Sequence, residues 1–150
     1  MTMDNRQPAI NSILCVEDDE DTCQLVRFVF EQADCEMETC GAQSDLKIFE
    51  ERVFSAIILD NHFNGLSGVD ICRRIRRFHP LTPVVFFSGE SRQTEIEKAF
   101  DAGATAYLIK PNDFEKLVVT TLDLIKKAQD SQKAADDNPP TALDRDEQDL

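Results

Sequence analysis

Glu17-Asp18-Asp19, Asp60, Ser88 and Lys110 are the residues of this 150-residue chain whose types and placement could do chemistry. Carboxylates bind hard cations or act as nucleophiles, a hydroxyl donates or accepts hydrogen bonds, and an ammonium neutralises negative charge. Each group closes a short apolar run. Glu17 follows Ile13-Leu14-Cys15-Val16, Asp60 follows Ala56-Ile57-Ile58-Leu59, Ser88 follows Val84-Val85-Phe86-Phe87, and Lys110 follows Ala106 to Ile109. Singly, each has a plain structural use: Asp19 and its neighbours suit a helix start, and Asp60 suits a turn leading to Asn64-Gly65. Jointly, at four strand ends, three carboxylates, a hydroxyl and an ammonium would converge on one edge. Two carboxylates about 4 Å apart repel by roughly 4 kcal/mol at an effective dielectric near 20, so the cluster needs a cation beyond the single charge of Lys110. Oxygen ligands completed by water suit Mg²⁺, and no twelve-residue calcium loop is present.

The elements that would bring these groups together follow from the hydrophobic period. After the first run, Leu25, Val26, Val29, Phe30 and Ala33 recur at helical spacing, and Cys35 to Cys40 alternates like a strand. Leu46, Phe49 and Val53 predict a second helix before the run at Ser55 to Leu59. Val69, Ile71, Cys72, Ile75 and Phe78 predict a third, stopping before Pro80, and Pro83 opens the next strand. Ile96, Ala99 and Phe100 predict a fourth helix ended by Gly103. Phe114, Leu117, Val118, Thr121, Leu122 and Ile125 predict a fifth, with Asn112 and Glu115 spaced as a capping pair. Five β-α units imply an α/β fold: a five-stranded parallel sheet, doubly wound, with ligands beyond the carboxyl ends of its strands.

Composition narrows the function classes. Net charge is −13, with 29 acidic against 16 basic residues, which disfavours nucleic acid and anionic membranes as partners. No apolar run approaches the roughly 18 residues of a membrane helix, and no secretory segment opens the chain, so a cytoplasmic location is expected. The five cysteines, Cys15, Cys23, Cys35, Cys40 and Cys72, form no C-x-x-C pair and are expected reduced and mostly buried. Residues 130–150 are acidic and poor in apolar side chains, so the folded unit is placed at 9–129 and a disordered tail at 130–150.

The stretches "ILCVEDDE", "IILDNHFNGLSGVD", "PVVFFSGES" and "GATAYLIKP" resemble the receiver domain of bacterial two-component response regulators, over about residues 9–129. The resemblance implies the flavodoxin-like (βα)5 fold of the chemotaxis-regulator type. It further implies that Asp60 accepts a phosphoryl group from a histidine kinase or histidine phosphotransfer protein. Glu17 and Asp18 would hold Mg²⁺ directly or through water, together with Asp60 and the backbone carbonyl of His62. Ser88 would bond the phosphoryl oxygen, Lys110 would pair with the phosphate, and Tyr107 would be the aromatic switch that turns inward after Ser88 moves. The output would be phosphorylation-dependent contact with a target protein. The face of helix four, strand five and helix five would repack, and that face is open to homodimerisation. Such a chain is not an enzyme; it assists only its own phosphorylation and dephosphorylation. No effector domain being attached, a single-domain regulator or a phosphorelay intermediate is expected.

Departures from the family pattern are local. Asn64 stands where a proline is usual, which predicts a looser loop, and Asn112 stands where phenylalanine is common after Lys110-Pro111. His62 and Glu90, each two residues beyond a reactive position, border the path of the hydrolytic water and are expected to set the phosphoryl lifetime, as a hydrogen-bonded pair. The run Arg73-Arg74-Ile75-Arg76-Arg77 is expected to be a solvated helix face, with docking to an acidic partner or the tail as the weaker reading. Two other classes compete. A phosphatase of the haloacid dehalogenase type would place a second aspartate where His62 stands, and a receiver-like adaptor would bind partners without phosphorylation.

Overall fold

The structure, a computed structural model, describes residues 9–137. Five parallel strands form one sheet: β1 (Ser12–Val16), β2 (Glu36–Cys40), β3 (Ala56–Leu59), β4 (Val84–Ser88) and β5 (Ala106–Ile109), in the order β2-β1-β3-β4-β5. The helices are α1 (Glu20–Gln32), α2 (Ile48–Glu51), α3 (Gly68–Phe78), α4 (Gln93–Asp101) and α5 (Leu117–Asp137). Strand residues alternate between two cores. Leu14, Val16, Ile57, Leu59, Val84 and Phe86 meet Phe49 of α2, Val69, Cys72 and Ile75 of α3 and Ala99 of α4. Ile13, Cys15, Ile58, Val85 and Phe87 meet Val26 and Phe30 of α1 and Leu117 and Ile125 of α5. Burial on both faces is why these strands read as unbroken apolar runs. The chain leaves β1 in one direction for β2 and in the other for β3, so the crevice expected to receive a ligand opens between the carboxyl ends of β1 and β3.

Four sequence expectations are corrected. The second helix is short: a 3-10 turn at Gln43–Asp45 precedes the four residues of α2, and Val53, expected on its apolar stripe, is 77% exposed. Asn112 and Glu115 do not cap the fifth helix. Its first turn is a 3-10 segment at Phe114–Lys116, and the Asp113 carboxylate accepts the Ile109 N–H at 2.9 Å instead. α5 continues to Asp137, so residues 130–137 of the expected tail are helical; the rest of that tail lies outside the described residues. Low apolar content does not oppose a helix when Ala, Gln and Lys recur. Ala128, Ser131, Gln132 and Ala135 line a groove of about 370 Å³ with Leu81 and Pro83, so these last turns still face the domain.

The arginine cluster is a solvated face only in part: Arg73 and Arg77 are exposed, whereas Arg74 and Arg76 are half-buried. Arg76 donates to the carbonyls of Gly103 (2.6 and 2.9 Å), Thr82 (2.6 Å) and His79 (2.9 Å), tying the end of α3 to the connections before β4 and β5. Arg74 pairs with Glu50 and lies over the Phe49 ring, and Arg73 pairs with Asp70. The cysteines meet their expectation: all are free, and four of the five are buried, with Cys23 intermediate. Among the described residues no helix is long and apolar enough to cross a membrane.

Candidate functional site

The site is built from strand ends in register. Val16 pairs with Leu59 across β1 and β3, and the Asp60 N–H continues the ladder to the Val16 carbonyl at 3.1 Å, so the segments carrying Glu17 and Asp60 leave the sheet side by side. Glu17, Asp18 and Asp60 offer carboxylate oxygens that lie within 4.8 Å of one another. Asp19, the third acid of its run, is turned to another use: it is the N-cap of α1 and accepts from the Thr22 N–H at 3.0 Å. Lys110, delivered by β5, donates to Glu17 and lies 3.3 Å from Asp60 Oδ2.

Electrostatics follow from that arrangement. Burial pushes the Glu17 carboxyl up to about 7, outweighing its hydrogen bond with Lys110, and the Asp60 charge adds to the push. For Lys110 burial opposes the charge, but Glu17 and Asp60 outweigh it and hold the ammonium above its ordinary value of 10.5. Three clustered carboxylates thus face one ammonium, which meets only Glu17 and Asp60, and the buried member resists ionisation. That donor set, all hard oxygen and short of positive charge, fits Mg²⁺.

The second half of the site is centred on Glu90. Ser88 is fully buried, and its Oγ accepts the Glu90 N–H at 3.2 Å. Tyr107 stacks on Phe86 with centroids 5.4 Å apart and donates its hydroxyl to the Glu90 carbonyl at 2.7 Å, with the Asn61 amide 3.4 Å away. The ring expected to turn inward after phosphorylation is therefore already packed on the core. His62 and Glu90 do face each other as expected, as an ion-pair contact rather than a hydrogen bond. Their nearest ring nitrogen and carboxylate oxygen are 3.6 Å apart, beyond hydrogen-bonding range. Arg92 holds the Glu90 carboxylate instead, and its bonds are the main reason that group is lowered to about 2.

Asn64 was expected to loosen its loop and does the reverse. With φ +48° it precedes Gly65 at φ +80°, a two-residue turn that pairs His62–Phe63 with Leu66–Ser67 as a hairpin. Both residues left-handed is the type I′ geometry, for which Asn-Gly is the preferred sequence. That dipeptide was the available signal. For Arg92 the available signal was its opposite charge two residues beyond Glu90, the carboxylate it holds.

A profile of the response regulator receiver domain matches residues 13–121. The chain belongs to the response regulator receiver domain family. Among curated relatives of this receiver, the nisin biosynthesis regulatory protein NisR of Lactococcus lactis is 29% identical over 126 residues, 83% of this chain and 55% of NisR. The phosphate regulon transcriptional regulatory protein PhoB of Rhizobium meliloti is 28% identical over 122 residues, 78% of this chain and 53% of PhoB. The chain therefore spans about half the length of these relatives. Among solved structures, NtrX from Brucella abortus superposes with a TM-score of 0.78 at 25% identity, over 87% of this chain and 30% of NtrX. A CheY-like receiver from Methanospirillum hungatei JF-1 superposes with a TM-score of 0.77 over 82% of this chain and 99% of that one; at 18% identity it supports the fold alone. The doubly wound parallel sheet expected from the sequence is thus the receiver fold.

Proposed function

We propose that this receiver accepts a phosphoryl group on Asp60 from a histidine kinase or phosphotransfer protein and signals through protein contacts that depend on that modification. One observation carries the reading. The Asp60 carboxylate stands at the carboxyl end of β3 with Lys110 3.3 Å away and the oxygens of Glu17 and Asp18 within 4.8 Å. Glu17, Asp18, Asp60 and the carbonyl of His62 would hold Mg²⁺, which supplies positive charge to the transferred phosphoryl oxygens. Asp60 Oδ attacks phosphorus in line as the bond to the donor breaks, and Lys110 neutralises charge on the same group. Positioning and charge are all this transfer asks of the protein, so its only catalysis is of its own modification and loss.

Ser88 then serves as the hydroxyl for a phosphoryl oxygen. Ser88 donates its own O–H to that oxygen, and the movement of Oγ toward it stretches the bond Oγ accepts from the Glu90 N–H, which loosens the residue whose carbonyl holds Tyr107. A local charge thereby biases the face of α4, β5 and α5, the surface proposed for the target or a second copy. His62 and Glu90, with Arg92 behind them, flank the approach of water and set the lifetime of the acyl phosphate.

Incubation with Mg²⁺ and a small phosphodonor, followed by intact mass, tests the reading. A single labile phosphate that disappears in Asp60→Asn is the expected result. Steady hydrolysis of the donor without an adduct would mark a phosphatase, and no adduct at all a phosphorylation-independent adaptor. Double substitution of His62 and Glu90 is expected to change the decay rate, and an unchanged rate removes them from lifetime control.

A further inference from the structure

The hairpin after Asp60 does more than close a turn. The Asn64 N–H donates to Asp18 Oδ2 at 2.8 Å, across 46 residues of chain. The Asn64 side-chain amide donates to the Gly41 carbonyl at 2.9 Å, and Gln43 Nε2 donates to the Asn64 carbonyl at 2.7 Å. Gly41 follows β2 directly, and the carbonyl of its neighbour Cys40 accepts the Glu17 N–H at 3.1 Å. One residue therefore links the connections after β1, β2 and β3, and its bond to Asp18 is charge-assisted, the stronger kind. Proline at this position could donate no such bond and could not take the left-handed backbone that closes the hairpin.

We propose that Asn64 is a positioning residue for the Mg²⁺ site, holding the Asp18 carboxylate in place through its backbone N–H and anchoring that contact to Gly41 and Gln43. The inference rests on Asp18 being a metal ligand, as proposed above. Asp18 is exposed, so without this contact its side chain would be free to leave the direction that faces Glu17 and Asp60. Holding it beforehand lowers the ordering cost of binding, and partners behind metal ligands commonly matter by about 10- to 100-fold in affinity.

The test is Mg²⁺ affinity by titration calorimetry, with thermal unfolding of each metal-free variant alongside. Asn64→Gly keeps the N–H and the turn and is expected to bind within about threefold of the wild type, whereas Asn64→Pro, lacking both the donor and the left-handed turn that presents it, is expected to bind about tenfold more weakly. A role in stability alone would lower the Tm of both variants and leave the two affinities equal, which would overturn the proposal. Should Asn64→Pro not fold, the Asn64 amide proton is read by NMR in metal-free protein. Its resonance moves upfield and exchanges faster in Asp18→Ala if the contact exists in solution, and is unchanged if it does not. Equal Mg²⁺ binding by wild type and Asp18→Ala would sink the metal reading itself. Loss in Asp18→Ala with full affinity in folded Asn64→Pro would sink only the role of Asn64.

Discussion

At position 68 the absence of a side chain decides where Asp60 can sit. A methyl group there would lie 2.5 Å from the Asp60 carbonyl oxygen and 2.7 Å from the Asn61 Cα, both backbone atoms that cannot swing aside. Gly68 also donates its N–H to the Asn61 carbonyl at 2.8 Å, so the start of α3 is laid directly against the Asp60-Asn61 segment. Gly68→Ala is expected to cost about 1–3 kcal/mol in urea unfolding through overpacking, and to slow phosphorylation of Asp60 measured by intact mass. At this scale the sequence was informative where a group ends a strand. Glu17, Asp18, Asp60, Ser88 and Lys110 were all legible, because an apolar run followed by a polar residue marks the edge at which an α/β sheet binds. The contacts of Asn64 were not, since its partners Asp18 and Gly41 are chosen by the fold, and Arg92 was overlooked although its partner Glu90 is only two residues away.

Among the elements, connections rather than helices and strands show the largest departures. The Asp113 carboxylate, taking the Ile109 N–H and lying 3.3 Å from Lys116, is held below its ordinary value of 3.8 chiefly by that backbone bond. A carboxyl with a lowered folded pKa adds stability that is present above the unfolded value and is lost as pH falls through the folded one. Asp113→Ala should therefore lower Tm at pH 7, and the gap from wild type should close as pH drops below 3.8. A gap that persists undiminished in acid would show that the charge is not its source. Arg76 is the counterpart at the opposite pole, binding three carbonyls, of His79, Thr82 and Gly103, in the two connections before β4 and β5. Arg76→Met would leave those carbonyls without their charged donor. It is expected to cost about 3 kcal/mol in denaturant unfolding, with phosphorylation of Asp60 little changed because the strut is remote from the site.

For the whole molecule, charge is the main tension. With −13 spread over 150 residues, compaction brings like charges together, and added salt should relieve the repulsion. Raising NaCl from about 10 mM to about 150 mM shortens the screening length from roughly 30 Å to roughly 8 Å, and Tm is expected to rise. A falling Tm would mean that surface ion pairs outweigh the repulsion. The fold class, the five strands, four of the helices and the placing of Glu17, Asp18, Asp60 and Lys110 at one edge of the sheet were determined by the sequence itself, because periodicity and strand-end placement are written within a few neighbouring positions. Val53 and Leu25 misled as core residues for the same reason: apolar character at a helical interval does not say whether a neighbour exists to cover it. Tertiary structure alone decided that Asn64 holds Asp18, that Arg76 and Arg74 brace the core rather than face water, and that Tyr107 is already seated against Phe86. Those outcomes depend on which groups the sheet order brings into contact across tens of residues, and hydrogen bonds and ring contacts between such distant positions have no local signature.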